Sequence, residues 1–150
     1  MAMSNYPGGF SDGILVRGMP LIQTHPGKVF WVLRAAGAST QGHRTGSDGN
    51  DGSFNAPFAT LDYAIGRCTA ARGDVIMVKP GHTETISTST AMAWDVSGVA
   101  IIGLGVGSLR PTFTLDTAAT ATITVSVANV SVQNCIFIAN FADIATFFNL

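Results

Sequence analysis

"GSDGNDGSFNAPFATLDYAI", residues 46–65, sets Asp48, Asn50 and Asp51 among glycines and then changes its hydrophobic period. Three readings compete for it: a calcium loop, a catalytic acid pair, or the way into a domain. An EF-hand loop needs oxygen ligands at positions 1, 3 and 5, glycine at 6 and a bidentate acid at 12. Counted from Asp48, those places fall on Asp48, Asn50, Gly52, Ser53 and Ala59, and the last three do not fit. The stretch therefore reads as a tight loop that delivers the chain into a helix. One amphipathic helix is expected over 57–72. Phe58, Leu61, Ile65 and Cys68 recur at spacings of three and four, while Asp62, Arg67, Thr69 and Arg72 fall mainly on the other side. Pro57 suits the first helical position and Gly73 the end.

Beyond Gly73 the period becomes two, or the apolar run becomes continuous: "DVIMVKPG", "HTETIS", "GVAIIGLG", "PTFTLD", "ATITVSVANVSVQNCIFIAN". These are short strands rich in Val, Ile and Thr, and one helix cannot supply the crossovers of an alternating α/β sheet. Val75 to Val99 is 24 positions and Val99 to Val130 is 31. A stacked coil of roughly 20 to 30 residues per turn fits that spacing. The expected class is all-β, a parallel β-helix, with Ile123, Val125 and Val127 pointing inward, then Val130, Val132, Ile136 and Ile138. Asn129 and Asn134 mark corners where a left-handed turn is tolerated. The helix would cap one open end. At the other, "ADIATFFNL" keeps Phe147, Phe148 and Leu150 core-like, so further chain or a neighbouring molecule is expected over them.

Working back from the loop, residues 34–53 form a polar, glycine-rich stretch without periodicity, read as a linker. Residues 1–33 read as an extended arm ending in a strand, "GKVFWVL", with Val29, Trp31 and Leu33 on one face and Phe30 and Val32 on the other. Both faces are apolar, so both need covering, one of them by a neighbour. The arm's Tyr6, Phe10, Ile14, Leu15, Val16, Met19, Leu21 and Ile22 are apolar residues in a segment too rich in glycine to fold alone. Together with Phe30 and Val32 they are the expected partner-binding residues, adding strands to another protein's sheet.

Composition narrows the partners. Charged residues make up 11% and the net charge is -1, which gives no electrostatic footprint for nucleic acid or an anionic membrane. Hydrophobic residues make up 47%, which suits a surface partly covered by copies of itself or by a larger assembly. Neither a membrane span nor a secretory leader is expected. Cys68 and Cys135 lie far apart and read as buried free thiols, and His25, His43 and His82 are too scattered for a metal cluster. No cofactor is expected.

In order, "SDGNDGSFNAPFATLDYAI", "GDVIMVKPGHTETI" and "SGVAIIGLG" resemble the N-terminal coils of right-handed parallel β-helix proteins of the pectate-lyase-like superfamily. His82 and Thr83 depart from it, standing where an aromatic often follows the Pro-Gly. The resemblance implies a right-handed coil behind an N-terminal capping helix over residues 54–150. It leaves function open, since the superfamily holds lyases, hydrolases and inert virion proteins. An arm ahead of a small capped β-helix looks most like a virion protein of a tailed bacteriophage. The expectation is a non-enzymatic capsid decoration protein or head fibre on the outer capsid surface. The major capsid protein is the expected partner, and a homotrimer the expected assembly.

The enzymatic alternative is a tailspike or polysaccharide lyase or hydrolase acting on host glycans. It needs two carboxyl groups about 5 to 10 Å apart, or acids beside a catalytic base. Asp74, Glu84, Asp95, Asp116 and Asp143 are isolated in sequence, although stacking could align Glu84 with Asp116. Lys79 and Arg110 adjoin prolines at coil corners and read as turn residues. A carbohydrate-binding adhesin would need an aromatic groove, for which Trp94 alone offers an indole in the coils.

Overall fold

The computed structural model describes residues 15–16, 19–20, 27–34 and 45–150. The elements in order are β1 (Leu15–Val16), β2 (Met19–Pro20), β3 (Val29–Val32), α1 (Leu61–Gly66), β4 (Val75–Val78), β5 (Thr83–Ile86), β6 (Ala93–Trp94) and β7 (Ala100–Gly103). They continue with β8 (Thr112–Leu115), β9 (Ile123–Val125), β10 (Ser131–Gln133), β11 (Ile136–Ala139) and β12 (Phe148–Asn149). Among the described residues every pairing is parallel, apart from an antiparallel β1–β2 ladder.

Three sheets share the strands in rotation. The first has the order β10-β7-β4-β3, the second β11-β8-β5 and the third β12-β9-β6. From β4 onward, consecutive strands go to different sheets, and each pairs with the strand three places on. Val75, Ala100 and Ser131 stand in one row, and Thr83, Thr112 and Ile136 in another. Alternate side chains of each strand point between the sheets. Val32, Ile76, Val78, Ile86, Ile101, Phe113, Leu115 and Ile123 meet there and are at most 1% exposed. Their burial is the main gain of the fold, at about 25 cal/mol per Å² of apolar surface.

Several sequence expectations need correction. The helix is six residues, not sixteen positions from Pro57. Thr60 is its N-cap, accepting from Tyr63 N–H, and Phe58 ahead of it is bridged as extended chain to Val32. The three-four spacing of Phe58 and Cys68 reflects contact with the same core, not helix. Strand β3 is part of the body: Val29↔Val75 through Val32↔Val78 put it in register with β4, so the boundary at residue 33 falls one strand late. The expected linker is also partly built in, since residues 45–53 pack on β3. In β11 the inward residue is Phe137, stacked on Phe113, while Ile138 is 42% exposed. A left-handed Asn134 (φ 56°) turns the chain between β10 and β11, and a one-residue slip there exchanges the faces. The expected left-handed Asn129 (φ 61°) is present as well.

Candidate docking face and the acids around the capping helix

The acids that the sequence offered for chemistry serve the backbone. Asp48 Oδ1 accepts from the N–H groups of Ala59 (2.9 Å) and Thr60 (3.1 Å), and its Oδ2 from the Thr60 hydroxyl (3.1 Å). Asn50 Nδ2 donates to Pro57 O at 2.8 Å and to Thr45 O at 3.3 Å, and Asp51 Oδ1 accepts from Ser53 N–H at 2.9 Å. These bonds hold the loop in the shape that starts α1, which answers the question posed by the sequence: the loop is a structural approach to the domain.

Two more carboxylates fasten the helix to the strands beneath it. Glu84 Oε2 takes the Leu61 N–H at 3.0 Å and meets His82 Nε2 at 3.2 Å. Asp62 Oδ1 takes the Ala93 N–H of edge strand β6 at 2.8 Å. Burial pushes the Asp62 carboxyl up; the Ala93 bond opposes this, and the charges of Asp95, Glu84 and Asp48 add to it. The alignment of Glu84 with Asp116 that the enzymatic alternative could have used does not occur. Glu84 stands beside Phe113, while Asp116 lies past the end of β8 and accepts from Asn140 Nδ2.

Asp74 is fully buried and engaged on every side. Arg72 binds it through Nε (2.7 Å) and Nη2 (2.6 Å), and the N–H groups of Lys28 and Thr69 each donate at 2.7 Å. Burial alone would raise its pKa, but the guanidinium and the two amides outweigh that and hold it at about 2. One side chain thus ties the start of β3, the chain after α1 and the start of β4 together.

Lys79 is no solvated turn residue. It is 5% exposed, donates to Phe54 O, and lies 4.0 Å from the Phe54 ring centroid and 5.9 Å from that of Trp31. Burial lowers its pKa. The thiols of Cys68 and Cys135 are half-buried and pushed up by burial to about 12 and about 11, which leaves them protonated and poorly nucleophilic at neutral pH. Among the described residues no group of three or more His, Cys, Asp or Glu could hold a metal ion, and no helix is long and apolar enough to cross a membrane. A cleft of about 380 Å³ is lined by Ser89, Thr120, Thr122, Thr146, Asn149 and alanines, and no carboxylate lines it.

The outward faces of the first two sheets differ. On the first, Val29 and Trp31 of β3 stand in register with Val75 and Met77 of β4 and with Ala100 and Ile102 of β7. These six apolar residues alternate with the buried ones and stay partly exposed, Val29 to 42%. On the second sheet the outward residues of β5 and β8 are Thr83, Thr85, Thr112 and Thr114.

Of the residues expected to bind a partner, Tyr6, Phe10, Ile14, Leu21 and Ile22 lie outside the described residues, as do His25 and His43. Leu15, Val16 and Met19 fall in the β1–β2 ladder. Val32 is a correction: it is 0% exposed in the chain's own core, and Phe30 packs on that core with its ring 5.8 Å from that of Phe58. The outward Val75, Met77, Ala100 and Ile102 were missed. The runs "DVIMV" and "VAIIG" are apolar at both parities, the same pattern that had marked both faces of β3.

No protein-family model matches the chain, no curated protein matches it, and no solved structure matches it.

Proposed function

We propose that the chain is a right-handed parallel β-helix closed at its N-terminal end by α1 and the Asp48 loop, and that it works as a non-enzymatic structural protein. In the setting the sequence resemblance implies, it is a capsid decoration or head-fibre protein on the outer surface of a tailed-phage virion. Its arm docks on the major capsid protein, and no cofactor takes part. The observation that carries this reading is the use of Asp48, Asp62, Asp74 and Glu84 as ligands of main-chain N–H groups. A carboxylate whose oxygens are taken up by backbone amides is spent on holding the fold and has less capacity left for a substrate. The uncharged outward face of the first sheet adds surface for contact with other subunits.

Cryo-electron microscopy of purified particles, with the intact protein and with residues 1–26 removed, tests the reading. The deletion stops at 26 because β3 belongs to the sheet. Density over the capsid lattice that disappears with the arm is the expected result. Density at the tail tip, or shortening of a host polysaccharide by the purified chain, overturns it.

A further inference from the structure

We infer that β3 is an exchangeable strand: the slot it occupies is the site at which a second copy of this chain inserts its own β3 where copies are crowded. The inference goes beyond the role proposed above and does not depend on where the protein sits.

The structure shows what fits the slot, because β3 fills it. Along the inner edge β3 pairs in register with β4, Val75 N–H donates to Lys28 O, and Lys79 N–H donates to Val32 O. Along the outer edge Trp31 N–H donates to Gly52 O, and Phe58 takes part through both its N–H and its carbonyl. Lys28 N–H donates to the buried Asp74 carboxylate, and Val32 and Leu33 are buried. Each of these partners lies at residue 52 or later, so a β3 arriving from another chain keeps all of them.

Among the described residues β3 is also the strand of the three sheets that has no coil of its own. The first sheet holds four strands and the other two hold three each. Between β4 and β7 the chain lays down β5 and β6, whereas between β3 and β4 it makes the Asp48 loop and α1. The β3–β4 pairing is parallel, which excludes a tight turn and needs a long connection whichever chain supplies the strand. Residues 34–45 begin that connection, and they leave and rejoin the body at neighbouring points, since a Cβ on Gly46 would overlap Leu33 O. Those 12 residues reach at most about 40 Å, enough to close on the same body or to cross to one beside it.

Concentration decides between the two seats. A tether of this length holds β3 near its own slot at an effective concentration on the order of 1 mM, so dilute chain is monomeric and exchange competes as copies approach that density. Withdrawing β3 breaks the bonds on both edges and uncovers Phe30, Val32 and Leu33. Exchange is therefore set as chains fold together, and monomers already folded trade strands slowly.

Two full-length chains, both with Cys68→Ala and Cys135→Ala, test this, one carrying Val29→Cys and the other Val75→Cys, positions that stand in register on β3 and β4. They are mixed unfolded, refolded together at concentrations from about 10 µM to about 1 mM, and then oxidised. A disulfide between position 29 of one chain and position 75 of the other reports β3 of the first lying on β4 of the second. The expected result is a linked dimer that rises with concentration and exceeds by at least about tenfold that from Val29→Cys with Gln133→Cys, two strands beyond β4. A single chain with both Val29→Cys and Val75→Cys, oxidised as a monomer, should stay monomeric by sedimentation through the same refolding. If either variant melts early, Trp31→Cys with Met77→Cys, the next outward pair, replaces it. No link above the control, or a locked chain that still dimerises, overturns the inference. These readouts use purified chain alone, so their failure is distinct from failure of the particle experiment, which reports where the protein sits.

Discussion

At the β3 end of the stack the outermost strand is hydrogen-bonded along both edges. Its inner edge pairs with β4, while on its outer edge Trp31 N–H donates to Gly52 O, Phe58 N–H to Trp31 O and Leu33 N–H to Phe58 O. At the other end, β10, β11 and β12 are each the last strand of their sheets and pair only with β7, β8 and β9. The side chains differ in the same way. Phe58 and Leu61 are at most 2% exposed, whereas Phe148 is 37% exposed. A parallel stack needs special chemistry at an end, because its outermost strands still carry donors and acceptors. Here that chemistry is a loop of Asp and Asn side chains and one short helix, and stability is accordingly expected to be greater toward β3.

The largest test of this contrast is Gly52→Val. Gly52 has φ +76°, and a Cβ there would overlap the Phe58 ring. The combined strain and overlap should cost more than about 3 kcal/mol and abolish cooperative thermal unfolding measured by circular dichroism.

Next comes Asp74→Asn, which leaves Arg72 without its counter-charge and weakens the bonds from Lys28 and Thr69. A loss of about 3 kcal/mol in urea unfolding is expected. The wild-type carboxyl has its pKa lowered from 3.8 to about 2, so its stabilisation, roughly 2 kcal/mol, is full above pH 4 and is lost as pH falls toward 2. In Asp74→Asn that part of the acid dependence should vanish; an unchanged acid limb would show that the Arg72 pair contributes nothing.

Asp48→Ala removes the acceptor for the Ala59 and Thr60 amides and should cost about 1 to 2 kcal/mol. Amide exchange should quicken first at those two residues. The smallest effect is expected at the opposite end, where Phe148→Ser, on a side chain already more than one-third exposed, should cost less than about 1 kcal/mol. A larger loss there than at Asp48 would reverse the proposed gradient of stability.

The strands were legible because Val, Ile and Thr alternate in them, and the inward Ile76, Val78 and Ile101 follow from that pattern. Length was the weak point of the helix. Phe58 and Cys68 keep a helical spacing while packing from extended or turn backbone, and only the Thr60 cap tells where helix begins. The links of Asp48 to Ala59, Asp74 to Lys28 and Glu84 to Leu61 were not legible, since they join residues 11 to 46 positions apart and depend on how the strands stack. The facing of β11 was missed for a local reason: Asn134 can turn left-handed, but sequence does not say by how many residues the next strand is delayed.

The two tryptophans of the chain sit in unlike surroundings. Trp31 lies edge-on to Phe54, 4.8 Å between centroids, beside the Lys79 ammonium, while Trp94 is 5% exposed and faces Phe137 and Phe148. One indole thus lies where the loop closes the stack, and the other looks toward the strands that end it. Replacing either by Phe would leave a single indole reporting on one end, so tryptophan emission, excited apart from Tyr6 and Tyr63, can time the loosening of the two ends separately.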